Sequence, residues 1–146
     1  MSNATNSINS INLKTIYQFK ISQLIDHTPG IRELILELTN QEAFSFKAGQ
    51  FVMLHVPVAG AAKPALRAYS IASTDEQKNG FKLIFKFVEG GVASQYVWSL
   101  KALDTVQITG PFGKVFFQEP PTEQIVFLNT GSGISQHFCF IESKMK

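Results

Sequence analysis

Short strand-like runs separated by turn-forming residues are the feature that most constrains the fold of this 146-residue chain. Runs at 15–25, 31–38, 51–58, 66–73, 81–88 and 104–110 are rich in apolar and β-branched residues. Pro29-Gly30 and Asn79-Gly80 stand between runs, and such pairs favour tight reversals of the chain. This spacing predicts a mainly β fold, an antiparallel barrel or sandwich.

Two segments need a choice between helix and strand. In IRELILEL (31–38), Ile31, Leu34 and Ile35 also fit helical spacing, but the short length and β-branched residues favour a strand. In VASQYVWSLK (92–101), apolar positions fall on one face and predict a short amphipathic helix. PFGKVFF (111–117) predicts a turn followed by a short strand.

The C-terminal stretch has a different pattern. EQIVFLNTGSGISQHFCFIESKMK predicts an apolar strand, a glycine-rich turn and the start of a helix. This is the opening of a parallel α/β unit, but one βα unit is not a domain. We therefore expect a disordered tail at 1–13, a barrel at 14–120 and the incomplete start of a second domain at 121–146.

Composition and charge narrow the function classes. The chain is 45% hydrophobic and its net charge is +2, which is too small to indicate nucleic acid or an anionic membrane as the main partner. No apolar run is long enough to span a bilayer. Cys139 is the single cysteine, so we expect a reducing, cytoplasmic location. His27, His55 and His137 are scattered without metal-ligand spacing, and no metal site is predicted.

The stretch LRAYSIAST (66–74) carries polar chemistry inside a strand-like run. Side chains alternate along a strand, so Arg67 and Tyr69 should share one face while Ala68 and Ser70 share the other. A guanidinium beside an aromatic ring suits a ligand that is anionic at one point and flat at another. An ordinary edge strand with a surface arginine is the alternative interpretation.

The stretch EGGVASQYV (89–97) places two glycines and Ser94 at the start of the predicted helix. Glycine permits close backbone approach, and a helix N-terminus presents unpaired N–H groups to an anion. A capped loop without a ligand is the alternative. The joint hypothesis is that Arg67 and residues 91–94 hold the same phosphates.

The ordered set AGQFVMLHV, RAYSIAS, GGVASQYV and ITGPFG resembles the flavin-binding domain of the ferredoxin–NADP reductase family, over about residues 15–119. The resemblance implies a six-stranded antiparallel Greek-key barrel with one short helix, and FAD as cofactor. It also implies roles: Arg67 on the FAD pyrophosphate, and Tyr69 and Ser70 as catalytic residues at the flavin ring and its N5 atom. The remaining implied FAD-binding residues are Ala68, Lys86, Val88, Gly91, Val92, Ala93 and Ser94.

The segment NTGSGISQ (129–136) is similar to the turn that opens this family's NAD(P)H-binding domain. Gly131, Ser132 and Gly133 match in kind, whereas Gln136 stands where the family has proline. The resemblance implies NAD(P)H as co-substrate once a nucleotide domain is completed, by a partner chain for example, and a redox protein such as ferredoxin or flavodoxin as electron acceptor. The alternative is a non-catalytic flavin-binding or electron-transfer module, or a truncated remnant.

Overall fold

The structure is a computed structural model that describes residues 15–40, 43–118 and 124–144. These residues form six strands, two α-helices and one 3₁₀ turn. The elements in chain order are β1 Tyr17–Thr28, β2 Ile31–Leu38, β3 Phe51–Val56, β4 Ala65–Ser70, β5 Gly80–Lys86, α1 Val92–Ser99, β6 Thr105–Phe112, the 3₁₀ turn Gly131–Gly133 and α2 Ile134–Lys144.

The strands arise where side chains alternate between core and surface. In β3, Val52, Leu54 and Val56 are buried, while the residues between them are only partly covered. The same alternation runs along β2, which settles the choice for 31–38 in favour of a strand. One buried face per strand fixes the register, because a one-residue slip would turn the apolar set toward water.

The six strands form one sheet in the order β4-β3-β6-β1-β2-β5, with antiparallel neighbours. Its two edge strands, β4 and β5, approach each other and curl the sheet into a barrel. Just beyond β4, the Ala72 N–H donates to the Lys82 carbonyl at 2.9 Å. The rings of Tyr69 and Phe85 lie 4.4 Å apart across the seam between the edges. The predicted six-stranded antiparallel barrel is confirmed.

Phenylalanine fills the barrel interior. The rings of Phe19, Phe44 and Phe81 contact one another with centroids 4.8–5.4 Å apart, and all three side chains are almost fully buried. Burial of each such ring contributes roughly 1.5–3 kcal/mol. The predicted helix at 92–101 is also present as α1, and it adds Ala93 and Val97 to this core.

The C-terminal helix packs on the barrel through polar and apolar contacts. The Glu142 carboxylate accepts from the Lys82 ammonium at 2.8 Å and from the Thr74 N–H at 3.1 Å. Cys139 is fully buried and donates to the Ser73 carbonyl at 2.8 Å. These contacts hold the 3₁₀ turn that precedes α2 near the end of β5.

Two predicted strands are not formed. Residues 124–130, expected as an apolar strand, have no regular structure, and Val126 and Leu128 are 79% and 86% exposed. A strand needs a hydrogen-bonded neighbour, and no segment within the described ranges pairs with this one. The short strand expected near 114–117 is also absent, while β6 extends to Phe112. The proposed tail at 1–13 and the boundary at Pro120 lie outside the described residues.

Candidate cofactor site

A groove of about 530 Å³ lies where the edge strands β4 and β5 meet the start of α1. Its size is within the range usual for small-molecule sites. Side chains from both edges, the loop after β5, the first turn of α1 and the 3₁₀ turn all reach it. Its lining consists of Arg67, Tyr69, Lys86, Val88, Gly90, Gly91, Val92, Ala93, Ser94 and Ser132.

Arg67 brings an exposed positive charge to the groove. It lies opposite Leu54 in the β3–β4 pairing, on the face of the sheet that Leu54 buries. Its Nη1 donates to the Leu66 carbonyl at 2.9 Å. No carboxylate in the described part of the chain forms an ion pair with it. The guanidinium therefore keeps donors free for an anionic ligand.

Tyr69 forms an aromatic wall beside that charge. It is half-buried and its ring packs against Phe85 at an interplanar angle of 57°. Burial raises the pKa of the Tyr69 hydroxyl, although the nearby Arg67 charge acts in the opposite direction. The side chain thus stays neutral at physiological pH and offers a ring surface to a flat group.

The loop at 88–91 ends in an open helix N-terminus. Gly91 is the N-cap of α1; no described side chain caps this end and the first turn carries no acidic residue. The loop is closed internally, because the Gly91 N–H donates to the Val88 carbonyl at 3.0 Å and the Val88 N–H donates to Ser94 Oγ at 2.9 Å. The first N–H groups of α1 are left to bind an acceptor from outside the helix.

The backbone at Gly91 forms a close cradle. A Cβ at this position would lie 3.0 Å from the Val88 carbonyl oxygen and 3.3 Å from Ser94 Oγ. Ser94 is buried, and because its oxygen accepts from Val88, its hydroxyl proton remains available to donate. The groove thus combines a cation and helix N–H groups, which bind phosphates, with an aromatic wall, which packs against a flat ring.

Four predicted site residues do not line this groove. Ala68 and Ser70 alternate with Arg67 and Tyr69 along β4 and therefore lie on the opposite face of the strand. Gly133 is exposed beside Asn129. Gly131 lines a separate cavity of about 260 Å³ against the outer surface of the barrel.

One buried charged residue that contacts α1 was missed in the sequence. Arg32 is buried on β2, where its guanidinium binds the Asp26 carboxylate through two hydrogen bonds of 2.7 and 2.9 Å. Its Nη1 also donates to the Val97 carbonyl in α1 at 3.1 Å. The available signal was its position in IRELILEL, because alternation places Arg32 on the same inward face as Leu34 and Leu36.

The three histidines lie apart in the fold. His27 pairs with Glu33 at 2.9 Å, His55 contacts Thr109 at 3.2 Å and His137 contacts Asn129 at 3.2 Å. The parts of the chain that are described contain no cluster of three or more potential metal ligands. Neither helix within those parts is long and apolar enough to cross a bilayer.

The fold and the groove together define a flavoprotein-type β-barrel, in which a helix N-terminus and an arginine face one ligand groove. The family model for the oxidoreductase FAD-binding domain matches residues 9–117, and the chain belongs to this family. FAD is therefore the cofactor of the domain.

Curated proteins that are similar in sequence agree with this assignment. The chain is 38% identical over 109 residues to ferredoxin–NADP reductase B of Sorangium cellulosum (strain So ce56), covering 74% of this chain and 43% of that protein. It is 32% identical over 120 residues to DmpP, the reductase component of phenol 2-monooxygenase from Pseudomonas sp. (strain CF600), covering 82% and 32%. The chain thus spans less than half the length of these curated relatives.

Solved structures show the same architecture. The cytochrome P450 reductase GcoB of Amycolatopsis superposes with a TM-score of 0.71 at 31% identity, over 85% of this chain and 37% of that one. A ferredoxin–NADP⁺ reductase from Neisseria gonorrhoeae with bound FAD and NADP also gives 0.71, at 24% identity, over 90% and 51%. The second likeness concerns the fold alone.

Proposed function

We propose that this chain is the flavin-binding part of an NAD(P)H oxidoreductase of ferredoxin–NADP reductase type, which passes electrons to a protein acceptor. One observation carries the proposal: Arg67 and the open N-terminus of α1 line the same groove. These two features come from separate parts of the sequence, and a diphosphate is the ligand that would use both.

Each part of the groove has a role in this proposal. Arg67 binds the FAD diphosphate from one side, and the N–H groups at the start of α1 with the Ser94 hydroxyl bind it from the other. Tyr69 packs against the flavin ring, and Lys86 and Val88 lie along the chain that joins ring and phosphates. Bound FAD supplies the redox chemistry, while these residues orient it and exclude water.

The roles of Ser70 and of residues 131–133 are proposed from their positions in the chain. Ser70 follows Tyr69 at the end of β4, and it is proposed to bind flavin N5 although its side chain starts on the other face of the strand. Gly131, Ser132 and Gly133 are proposed to bind the nicotinamide nucleotide. Ser132 supports this role because it lines the groove, and a Cβ on Gly131 would lie 3.8 Å from the Lys86 side chain, although Gly131 and Gly133 themselves lie outside the groove.

The complete reaction needs more than the described residues supply. We propose that residues 121–146 begin an NAD(P)H-binding domain, which further residues in the same protein or a partner chain complete. The proposed acceptor is a ferredoxin, a flavodoxin or an oxygenase component, in keeping with the names of the relatives. The single cysteine, which is buried, supports a reducing, cytoplasmic setting.

A second candidate is a flavin-binding module without NAD(P)H activity of its own. The observation that favours it is the irregular structure of 124–130, where a nucleotide domain would need a strand. Both candidates require FAD, and they differ in whether a reduced nicotinamide can reduce it.

A titration and one anaerobic mixing experiment separate the two. The purified chain is titrated with FAD, and its flavin absorbance is then followed after NADPH or NADH is added without oxygen. Bleaching supports the reductase, whereas colour that also stays stable in a fusion of the chain to the nucleotide-binding domain of a complete relative supports the module. A chain that binds no FAD contradicts both.

Substitution of Arg67 tests the carrying observation. We expect Arg67→Ala to weaken FAD binding by about tenfold or more, since one charge-assisted contact is worth roughly 1.5–3 kcal/mol. The thermal unfolding midpoint of the apoprotein should change little, because Arg67 is exposed and bonds only to its own strand. Lys20→Ala is the control, because Lys20 is an exposed cation paired with Glu37 and does not line the groove. Equal FAD affinity in both variants would remove Arg67 from the site.

A further inference from the structure

We propose that Arg32 is a positioning residue for the diphosphate, acting through α1 from the end of the helix opposite to the groove. The inference rests on the proposed function, since it concerns how the FAD groove is held in shape. Arg32 does not line the groove, and it touches α1 only in its last turn.

The contacts of Arg32 fix three elements to one another. Its Nε and Nη2 bind both oxygens of Asp26 on β1, at 2.7 and 2.9 Å, in the two-point geometry that orients a guanidinium plane. Its Nη1 reaches the Val97 carbonyl at 3.1 Å, and its charged carbon lies 4.9 Å from the centre of the Trp98 ring. Both of the latter residues belong to the last turn of α1.

The helix lacks such a group of its own. α1 carries no basic residue in its last turn and no acidic residue in its first. Helix ends leave carbonyl groups unpaired at the C-terminus, where a cation is favourable. Arg32 supplies that cation from β2, while the N-terminus stays free for a negatively charged ligand.

Orientation at one end of α1 determines position at the other. The helix has eight residues and is about 12 Å long, so a tilt at Val97 moves the N–H groups at Val92 and Ala93. A second path runs through stacked rings, because Trp98 packs edge-on against Phe87 at 5.2 Å. Phe87 is held by a 2.8 Å hydrogen bond from its N–H to the Gly30 carbonyl, and it directly precedes Val88 of the groove.

A purely structural role would not require an arginine. Apolar residues of similar volume often replace both members of a buried ion pair without loss of stability, whereas removal of one member alone is destabilising. Removal of Arg32 should therefore be visible in the diphosphate contacts even where the fold survives. This distinguishes a positioning residue from a packing residue.

The test compares two signals from bound FAD in the Arg32→Met variant. The ³¹P resonances of FAD report on the diphosphate, and the visible absorption band reports on the flavin ring beside Tyr69. We expect FAD affinity to fall about tenfold, equivalent to about 1.4 kcal/mol. At saturating FAD the ³¹P resonances should move while the visible band keeps its wild-type shape.

Further variants keep the test decisive. Arg32→Lys keeps the charge without the two-point geometry and should give an intermediate shift of the ³¹P resonances. Asp26→Asn releases the guanidinium and should also give an intermediate shift. These two variants provide the test if Arg32→Met does not fold. Lys20→Met is the control and should match wild type.

Wild-type ³¹P resonances in the Arg32 and Asp26 variants, or a visible band that changes in step with affinity, would overturn the inference alone. Failure of the wild-type chain to bind FAD would instead overturn the proposed function, and the inference with it.

Discussion

The side chain of Asp26 is 49% exposed, yet its chemistry is set by a buried neighbour. The hydrogen bonds from Arg32 lower the pKa of the Asp26 carboxyl below its usual 3.8, and the charges of Arg32 and His27 add to this effect. Desolvation acts in the opposite direction and is outweighed. The Asp26 carboxylate is therefore ionised at neutral pH, where it binds the Arg32 guanidinium.

This lowered pKa predicts how acid affects stability. The unfolded chain binds a proton at Asp26 more readily than the folded chain does, so the stabilising contribution is complete above pH 3.8 and is lost as the pH falls through the lower folded value. Urea unfolding of wild type and Asp26→Asn should differ by a constant amount above about pH 5 and converge in stronger acid. A difference that stays unchanged down to about pH 2 would show that this carboxylate does not contribute.

At the scale of single elements, the loop at 88–91 combines two glycines that serve different purposes. Gly90 has a positive φ of 70° and open space around its Cα, so it provides a backbone conformation. Gly91 has ordinary backbone angles but little room for a Cβ, so its lack of a side chain lets the Val88 carbonyl and Ser94 approach its backbone closely. Replacement of each glycine by alanine therefore separates the two purposes.

We expect Gly90→Ala and Gly91→Ala to affect different measurements. Gly90→Ala should lower the free energy of unfolding by about 1–2 kcal/mol, the cost of the left-handed conformation, and should weaken FAD binding less than Gly91→Ala does, because a Cβ on Gly90 meets no other atom within 4 Å. Gly91→Ala should weaken FAD binding by about tenfold, because the Val88 carbonyl and Ser94 must move and disturb the helix start. Urea unfolding and FAD titration of both variants check this; the same pattern in both would contradict the separate roles.

The elements that could be predicted are those whose sequence carries its own boundaries and periodicity. The strands at 31–38 and 51–56 alternate and lie beside recognisable turns, so local pattern was sufficient. The segment 124–130 has the apolar character of a strand, but strand formation depends on a neighbour that composition cannot report. The extension of β6 to Phe112 likewise depends on pairing with β3 at Phe51.

The candidate site could be predicted where residue type and spacing coincide, as at Arg67 and Gly91. Their convergence across the seam follows from the sheet order, which places β4 and β5 at opposite edges and then closes them. Asp26 faces Arg32 across the β1–β2 hairpin, but the contact of Arg32 with Val97 depends on tertiary packing between distant segments, and for this reason Arg32 was missed. The offset of Gly131 from the groove depends on how α2 docks, which no local pattern encodes.

At the scale of the whole molecule, exposed apolar side chains are frequent around the C-terminal segments. Their exposed fractions range from 38% to 86%, although α2 itself is anchored by buried Cys139 and Phe140. These segments therefore combine a docked helix with an apolar surface that the described residues do not cover. The exposed set comprises Val115, Phe116, Ile125, Val126, Leu128, Phe138 and Ile141.

Because Val126 and Leu128 are so exposed, we predict that both can be replaced by charged residues without destabilising the barrel. We expect the double variant Val126→Lys, Leu128→Lys to unfold within about 1 °C of wild type, because surface changes away from packed features usually cost under 0.5 kcal/mol. Its binding of a hydrophobic dye and its self-association by light scattering should both fall, since apolar surface drives them. Leu83→Lys is the matched control: Leu83 is fully buried on β5, and an uncompensated charge there should abolish folding. A double variant that melts several degrees below wild type would mean that residues 124–130 pack against the barrel and contribute to its stability.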